Sequence, residues 1–536
     1  MLKELIKKFL SPSSNAVKRE IIVNAEKLET RVAVLENGRL EEFLIEHPTE
    51  ARTVGSIFKG RIQNLEHELQ AAFVDIGMSK NAFLHYWDMN PDDESRLDDD
   101  DEPAKRRPRR KIVNAEIEKK FPVGSVITVQ VSKDAIGSKG PRVSASLSIP
   151  GRYLVMMPGC TVRGVSRKIG SAEERAHLKS VLDRLPLPPN CGIIVRTAAV
   201  GVSKRSLVRD LRGILNAYED LQHGLNEKAA PCCVYDEPDL ALRVIRDWMT
   251  EDVERIVVDN PEVYERLRKE AARISRHAKN LVQLYEGHYP ILDHYGVERQ
   301  IEDAFRRKVM LPSGGYLIID ETEALISVDV NTGRHKGKGT NQEETIVEVN
   351  LEAVEEITRQ LRLRNIGGLI VLDLIDMKSR KNQQQVYKAL KTALRRDKAR
   401  TNVLPISELG ILEMTRQRLE ESILAQIHQD CPYCHGRGTI KSPLQLSVDI
   451  QRQLCALIRR IRFQKKEKEP GLQISVHPTV LDRLRKEDAQ IFTDLQNDYS
   501  GKLTFKSDPL RMVESFSISE SETGKVIYAA GDQRTV

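Results

Sequence analysis

Two acidic residues inside apolar stretches are the residues in this chain best suited by type to do chemistry. Asp329 lies in ALISVDVN and Asp373 in GGLIVLDLI, each between Val, Ile or Leu residues. A lone ionised carboxylate in such surroundings is expected to be costly, because desolvation disfavours the charged form. A divalent cation held between the two would remove that cost. Mg²⁺ suits the task, since it takes one or two carboxylates, keeps water ligands and binds a substrate phosphate.

Short strands on either side of a helix must bring these acids together. Residues 342–364 predict a crossover helix, Glu-rich first and Arg-rich last, which complements the helix dipole. Asn331 follows Asp329 by two residues and shares its face on an extended segment, so its amide is expected to orient the site. Each acid alone could instead cap a turn or pair with a surface arginine. The predicted strands are residues 316–319, 324–330 and 368–375.

Long motifs around these residues resemble the bacterial ribonuclease E/G family. The motifs are LPSGGYLIIDETEALISVDVNTG, NLEAVEEITRQLRLRNIGGLIVLDLIDM and LGILEMTRQR. The family consists of Mg²⁺-dependent endoribonucleases that act on single-stranded RNA, and the resemblance covers nearly the whole chain. It implies that Asp329 and Asp373 hold the catalytic Mg²⁺ and that Asn331 supports them. It further implies products with a 5′-phosphate and a 3′-hydroxyl, and roles in RNA decay and in rRNA and tRNA processing.

The resemblance implies a location in the bacterial cytoplasm, and the bulk properties are compatible with it. A chain of 536 residues should contain several domains, because single cores seldom exceed about 250–300 residues. The net charge of +6 gives a mild bias toward polyanions. Seven cysteines, an odd and sparse set, argue against a disulfide framework and for a reducing compartment. Residues 1–10, MLKELIKKFL, are amphipathic; packing or fraying is favoured over weak anchoring at the inner-membrane surface.

A barrel that contacts RNA is predicted near the start of the chain. Residues 53–146 contain many short strands with glycines between them, interrupted at 90–111 by an acidic and then basic insert expected to be a solvated loop. Phenylalanines beside cations bind single-stranded nucleic acid by stacking, and core packing is the competing interpretation. The resemblance makes this the OB-type RNA-binding domain, with Phe73, Phe83 and Lys139 as its RNA contacts. The full set considered is Phe58, Phe73, Phe83, Lys59, Arg61 and Lys139.

A phosphate-binding pocket is predicted in residues 147–240. Arg196 and Thr197 follow the apolar run of CGIIV, and arginine suits a terminal phosphate because its fork donates two parallel hydrogen bonds. Pairing with a surface acid is the alternative. In the resemblance this segment senses a 5′-monophosphate that stimulates the enzyme. The matching residues are Gly151, Val155, Arg167, Arg196 and Thr197.

Other charged residues lie near the catalytic strands in the sequence. Arg400, Arg416 and Arg418 are candidates for binding the RNA backbone. Asp376 is expected either to add a further acid near the metal or to cap the helix that begins near Ser379.

Residues 431–438, CPYCHGRG, supply half of a zinc site. One C-x-x-C pair gives two ligands, whereas structural zinc takes four, and the chain has no second pair. Thiol redox chemistry is an alternative for C-P-Y-C, but the motif lies late in the chain and its glycines suggest a tight knuckle. The resemblance implies that Cys431 and Cys434 of two chains share one structural Zn²⁺. His435 is expected to point away from it.

The predicted fold is a mixed α/β chain of several domains. The resemblance implies ribonuclease-H-like and DNase-I-like subdomains, an inserted all-β OB-type barrel, a zinc knuckle and a small C-terminal α+β domain, in a homodimer or homotetramer. A short form of the family, without the long tail of its larger members, is expected. A catalytically silent RNA-binding protein on the same scaffold is the alternative function. The expected boundaries are 1–52 and 241–304 (ribonuclease-H-like), 53–146 (OB-type), 147–240 (sensor), 305–427 (catalytic, DNase-I-like), 428–440 (zinc link) and 441–536 (small dimerisation domain).

Overall fold

The computed structural model of the protein divides into two compact units, Met1–Gln426 and Ile427–Val536. No helix within the described residues is long and apolar enough to cross a bilayer. The amphipathic segment 1–10 and the insert 90–111 lie outside these residues. The structure describes residues 18–48, 53–89, 114–135, 139–166, 169, 171–250, 252–333, 342–418, 422–429, 431–434, 436–463 and 469–530.

The first unit mixes strands and helices along its length. Its strands are β1 (Arg19–Ala25), β2 (Thr30–Glu36), β3 (Arg39–Glu46), β4 (Ile57–Glu66), β5 (Ala71–Asp75), β6 (Ala82–His85), β7 (Val126–Lys133), β8 (Arg142–Ser144), β9 (Ile149–Pro150), β10 (Leu154–Pro158), β11 (Arg163–Val165), β12 (Cys191–Val195), β13 (Cys232–Tyr235), β14 (Val253–Val258), β15 (Val282–Leu284), β16 (Lys308–Met310), β17 (Tyr316–Glu321), β18 (Leu325–Asn331), β19 (Gly368–Asp373), β20 (Thr401–Val403) and β21 (Ile411–Arg416). Its helices are α1 (Asn114–Lys120), α2 (Ala172–Leu182), α3 (Lys204–Glu227), α4 (Leu240–Asp247), α5 (Pro261–Ile274), α6 (Arg276–Leu281), α7 (Ile291–His294), α8 (Val297–Ala304), α9 (Gln342–Leu363), α10 (Arg380–Ala393) and, at the boundary of the units, α11 (Ile423–Ile427).

The start of the chain shares a five-stranded sheet with a later segment, in the order β15-β14-β1-β2-β3. Asn37 and Gly38 both have positive φ and close the predicted β2–β3 hairpin. β14 runs parallel to both β1 and β15, so two strands occur where the sequence predicted mostly helix. Alternate side chains of the sheet enter different cores, one with α4 and α5 and the other with α7 and α8.

The predicted barrel is formed by β4 to β8. The strand order is β13-β4-β5-β6-β8-β7, and β7 also pairs with β4, which closes five strands into a barrel. Gly60 is needed where β4 crosses β5, because a Cβ there would lie 2.6 Å from Val74 Cγ1 and 2.9 Å from the Asp75 carbonyl oxygen. The predicted mixed α/β class with an OB-like barrel is confirmed at this level.

A four-stranded sheet in the order β11-β12-β10-β9 follows the barrel. It shares a core with α2 and α3. The hydroxyls of Ser171 and Ser203 accept hydrogen bonds from backbone N–H groups in the first turns of these two helices and fix their starts. The helices therefore pack on the sheet at defined positions.

The middle of the chain forms a six-stranded sheet in the order β16-β17-β18-β19-β21-β20. β17 and β18 are the predicted hairpin, α9 is the predicted crossover, and β19 returns parallel to β18. Ile326, Val328 and Val330 of β18 are buried with α9 and α10 on one face. Residues that alternate with them are half-buried or exposed, so this sheet has a covered face and an open face.

The second unit has one helix-packed sheet among its described residues, in the order β23-β22-β24-β25. Leu446, Ile450 and Leu454 recur at helical spacing on its first helix and join the core of the sheet. The elements are β22 (Leu472–Val476), β23 (Leu503–Ser507), β24 (Phe516–Glu520), β25 (Val526–Ala530), α12 (Pro443–Phe463), α13 (Pro478–Lys486) and α14 (Ala489–Asp498).

Candidate active site

Asp329 and Asp373 are direct neighbours on the β18–β19 pair. They are register partners near the carboxyl ends of two parallel strands. Their Cα atoms are therefore about 5 Å apart, and their side chains leave the sheet on the same face. Asn331 Nδ2 donates a hydrogen bond to Asp329 Oδ2 at 2.8 Å. The structure thus brings the three residues predicted for the metal site together.

The carboxylates of Asp329 and Asp373 are both exposed, so the prediction that they carry a desolvation cost is wrong. The apolar neighbours of each acid in the sequence point to the covered face, because successive residues of a strand alternate. The unusual feature is instead that two like charges lie side by side, an arrangement that destabilises a sheet. A cation between them would remove this repulsion.

A residue of α9 holds the start of α10, the helix after β19. Glu343 on α9 accepts hydrogen bonds from the Ser379 backbone N–H and from Asn382 Nδ2, each at 3.1 Å. These hydrogen bonds, the one from Ser379 foremost, lower the pKa of the Glu343 carboxyl. Asp376 is exposed on the loop between β19 and α10. The N-cap residue of α10 is Ser379 and not Asp376, and Glu343 holds the Ser379 backbone N–H.

The three arginines considered for the RNA backbone have different surroundings. Arg416 is buried, makes hydrogen bonds of 2.7 and 3.0 Å to the Asp397 carboxylate and also donates to the Ile366 carbonyl oxygen. The prediction for Arg416 is wrong, because its position on β21 points to the covered face. Arg400 and Arg418 are exposed and remain candidates.

Arg196 lies where β12 ends, beside the turn that precedes β10. Its Nη1 donates to the Gly151 carbonyl oxygen at 2.7 Å and lies 2.8 Å from Asp247 Oδ1. Gly151 is itself tightly enclosed, since a Cβ there would approach Ile214 to 2.6 Å and Asp210 to 2.8 Å. The predicted sensor therefore contains an arginine held by a backbone carbonyl and by an acid.

Two of the other predicted sensor residues, Val155 and Thr197, lie within the described residues. Val155 is half-buried on β10 and pairs with Ile194 of β12. Thr197 directly follows Arg196 and is exposed. Arg167 lies outside the described residues.

Two aspartates that sequence reasoning missed hold the residues around Gly151 and Arg196. Asp210 on α3 accepts the backbone N–H groups of residues 152–154 at 2.8–3.0 Å. Burial raises the pKa of Asp210, although these hydrogen bonds oppose the shift. Burial also disfavours ionisation of Asp247, but Arg246 and Arg196 outweigh it and lower the pKa of that carboxyl. Neither acid carries a sequence signal, because each meets its partners only through folding.

Phe73 and Phe83 form a half-exposed aromatic pair on the barrel. They are register partners on β5 and β6, and their ring centroids lie 6.0 Å apart at an interplanar angle of 77°. Lys139 is exposed. Phe58 is only 8% exposed and belongs to the barrel core, so the core interpretation applies to Phe58.

Two basic residues of the barrel bind backbone carbonyls of this chain. Lys59 Nζ donates to the carbonyl oxygens of Leu225 and Lys228 at 2.7 and 2.8 Å, so it anchors the end of α3 and the predicted phosphate contact is wrong. Arg61 is exposed, and its Nη1 donates to the Gly124 carbonyl oxygen at 3.0 Å.

Comparison with known proteins decides the family. A model described as the ribonuclease E/G family matches residues 148–419. Ribonuclease G of Salmonella typhimurium is 36% identical over 499 residues, which are 93% of this chain and 99% of that protein, and the same figures hold for ribonuclease G of Escherichia coli. Ribonuclease E of Haemophilus influenzae is 38% identical over 439 residues, 82% of this chain and 46% of that protein. The chain belongs to the ribonuclease E/G family.

Membership of the ribonuclease E/G family confirms the resemblance, and with it the predicted enzyme class, an endoribonuclease. The residues matched by the family model include both acids on the six-stranded sheet and the predicted sensor residues around Arg196. The barrel and the cysteine motif lie outside that match, but ribonuclease G aligns with 93% of the chain.

The cysteine motif of this ribonuclease E/G family member forms a turn at the start of the second unit. Backbone N–H groups of Cys434 and Tyr433 donate to the Cys431 thiol and lower its pKa. A lowered pKa favours the thiolate, which is the form that binds metal ions. All seven cysteines are free thiols, and His435 lies outside the described residues.

Proposed function

We propose that this protein is a Mg²⁺-dependent endoribonuclease that cleaves single-stranded RNA. The observation that carries the proposal is the register of Asp329 with Asp373 on the open face of their sheet, with Asn331 bonded to Asp329. The ribonuclease G and ribonuclease E relatives support RNA as the substrate. Roles in RNA decay and in rRNA and tRNA processing, in the bacterial cytoplasm, belong to the same proposal.

The donor set suits Mg²⁺, a hard ion that takes carboxylate and carbonyl oxygens and keeps several waters. Among the described residues no cluster of three or more His, Cys, Asp or Glu side chains is arranged to hold a metal. Two carboxylates would therefore hold the ion, with water and substrate oxygens as the remaining ligands. Bound there, Mg²⁺ would polarise a phosphoryl oxygen and promote loss of a proton from the attacking water.

The residues of the chain would position the substrate and the acids. Asn331 fixes the orientation of the Asp329 carboxylate through its hydrogen bond. The open face of the sheet would receive the extended RNA strand. Attack by water on phosphorus forms one P–O bond and breaks the bond to the 3′-oxygen, which takes up a proton. One fragment then carries a 5′-phosphate and the other a 3′-hydroxyl.

Single strands are preferred because the proposed binding surfaces need unpaired bases. The half-exposed Phe73 and Phe83 offer aromatic rings on which any base can stack, and the exposed Lys139 and Arg400 offer cations for phosphates. A duplex keeps its bases stacked and paired, so it cannot use such rings.

A 5′-monophosphate sensor is proposed around Arg196. Its side chain is held by the Gly151 carbonyl and by Asp247, beside the exposed Thr197 and near Val155. An arginine fixed in this way is preorganised for a terminal phosphate, because less side-chain freedom is lost on binding. Arg167, matched by the family resemblance, completes the proposed set.

The proposed assembly is a homodimer or homotetramer joined by zinc. Cys431 and Cys434 give two thiolates, and a tetrahedral Zn²⁺ takes four ligands, so two chains would share one ion. The small domain at 441–536 would pair alongside this zinc link at 428–440. The remaining proposed assignments are ribonuclease-H-like for 1–52 and 241–304, OB-type for 53–146, sensor for 147–240 and DNase-I-like for 305–427.

One cleavage experiment tests the catalytic and sensor assignments together. A short unstructured RNA, with either a 5′-monophosphate or a 5′-hydroxyl, is incubated with the full chain and Mg²⁺. The wild type should cut the monophosphorylated RNA faster. Asp329→Asn with Asp373→Asn should slow cleavage of both RNAs by roughly 100-fold or more, since metal-assisted charge stabilisation is worth several kcal/mol. Arg196→Ala should erase only the preference between them.

The outcomes separate the assignments. Full activity of the double variant would remove the acids from the mechanism. A wild type without preference would remove the sensor and leave the nuclease. A wild type that binds RNA but yields no cleavage product would favour the catalytically silent scaffold.

A further inference from the structure

A row of side chains crosses the open face of the catalytic sheet and ends at the two acids. Lys308 of β16 is the register partner of Ile318, and Ile318 is the partner of Asp329, which in turn pairs with Asp373. Register partners share a face, so these four side chains leave the sheet on the same side. With strands about 4.8 Å apart, the Lys308 Cα atom lies about 10 Å from that of Asp329.

A neighbouring row on the same face adds an aromatic ring. Met310 pairs with Tyr316, and Tyr316 pairs with Asn331. Tyr316 is half-buried, Met310 is 60% exposed, and the Lys308 ammonium lies 3.7 Å from the centroid of the Tyr316 ring. Lys308 therefore leans from β16 toward the strand beside the acids.

Core packing does not explain these side chains. Val309, Leu317 and Ile319 alternate with them, are buried and fill the covered face of the same strands. The tyrosine ring and the lysine consequently project from the face where the proposed metal site lies. A ring next to a cation is the combination that binds single-stranded nucleic acid, because the ring stacks on a base while the cation meets a phosphate.

We propose that Tyr316 and Lys308 bind one nucleotide of the RNA beside the scissile phosphate. The base stacks on the Tyr316 ring, and a phosphate of that nucleotide meets the Lys308 ammonium. The site accepts any base, since every base has a π-face. This inference rests on the proposed function, because it places the nucleotide relative to the acids at 329 and 373.

Cleavage kinetics test the two side chains separately. The substrate is a short unstructured, 5′-monophosphorylated RNA with one cleavage site, and the full chain is used with Mg²⁺. Tyr316→Ala should raise KM about tenfold, as expected for loss of one base–aromatic stack, with a smaller change in kcat. Tyr316→Phe should stay near the wild-type KM, because it keeps the ring.

The salt dependence of KM tests the effect of Lys308→Ala. Loss of one phosphate contact to a single strand should reduce the slope of log KM against log salt concentration by about 0.7. Lys391→Ala is the matched control: its ammonium lies 5.1 Å from the Tyr387 ring centroid on α10, in the helical layer that covers the other face. This control should leave both KM and the salt slope unchanged.

An abasic nucleotide, moved along the RNA one position at a time, locates the stacked base. At that position the wild type should bind as weakly as Tyr316→Ala, and the difference between the two proteins should vanish. A difference that persists at every abasic position, a wild-type KM for Tyr316→Ala, or an unchanged salt slope for Lys308→Ala would overturn the proposed subsite while leaving the nuclease intact. A wild type that does not cleave would overturn both proposals.

Discussion

Two pairs of charged residues at the six-stranded sheet of β16 to β21 have opposite arrangements, one formed by β21 with the loop before β20 and the other by β18 with β19. Asp397 and Arg416 carry opposite charges, have side chains 1% and 4% exposed, and satisfy each other through two hydrogen bonds. Asp329 and Asp373 carry like charges, are exposed, and lie side by side. The first arrangement serves the fold, because burial of either charge alone would be costly. The second brings like charges together, which destabilises a sheet, and it is the pair to which the proposed Mg²⁺ is assigned.

The largest effect on stability is expected from the buried pair. Arg416→Met leaves the Asp397 carboxylate buried without its partner and should lower the free energy of unfolding by about 3–5 kcal/mol. Replacing both residues, with Asp397→Leu and Arg416→Met, should cost much less, because no unpaired charge remains. Urea unfolding of the two variants measures the difference, and equal losses would contradict the ion-pair interpretation.

An intermediate effect on stability is expected when Asp247 is replaced. This half-buried residue pairs with Arg246 and Arg196. Asp247→Asn should lower the free energy of unfolding by about 1.5–3 kcal/mol at pH 7, the usual contribution of hydrogen bonds to charged groups. The pKa of Asp247 is lowered from 3.8, so the native state binds fewer protons than the unfolded state below that pH. The stabilisation is therefore complete above about pH 4 and is lost as the pH falls through the lowered pKa.

Thermal unfolding as a function of pH checks this dependence. The deficit of Asp247→Asn relative to the wild type should stay constant from pH 7 to about pH 5 and shrink below the ordinary aspartate pKa. A deficit that grows on acidification would show that Asp247 is not ionised in the folded protein.

The smallest effect on stability, and of opposite sign, is expected for the exposed acids. Without metal, Asp373→Asn removes a like-charge neighbour of Asp329 and should leave stability unchanged or raise it by up to about 1 kcal/mol. Mg²⁺ at ten times its Kd should stabilise the wild type by about 1.4 kcal/mol but not the variant. Unfolding with Mg²⁺ and with EDTA compares them, and destabilisation by Asp373→Asn in EDTA would mean that the acids serve the fold.

Local patterns in the sequence predicted much of the six-stranded sheet that carries Asp329 and Asp373. The β17–β18 hairpin, the crossover α9 and the return strand β19 all follow from apolar runs and helical periodicity. β14 and β15 were missed, because short apolar runs between helices cannot be distinguished from helical segments by periodicity alone. The burial of Asp329 was misjudged for a related reason, since its apolar neighbours in the sequence belong to the other face.

The sequence by itself determined the residue types and the relations between near neighbours. Asp329 and Asn331 share a face because a strand repeats every two residues, and long motifs indicated the family. Only the tertiary structure decided that Asp373 lies beside Asp329 and that Asp247 meets Arg196. The physical reason is that register between distant segments is fixed by packing of the buried face, which no local propensity encodes.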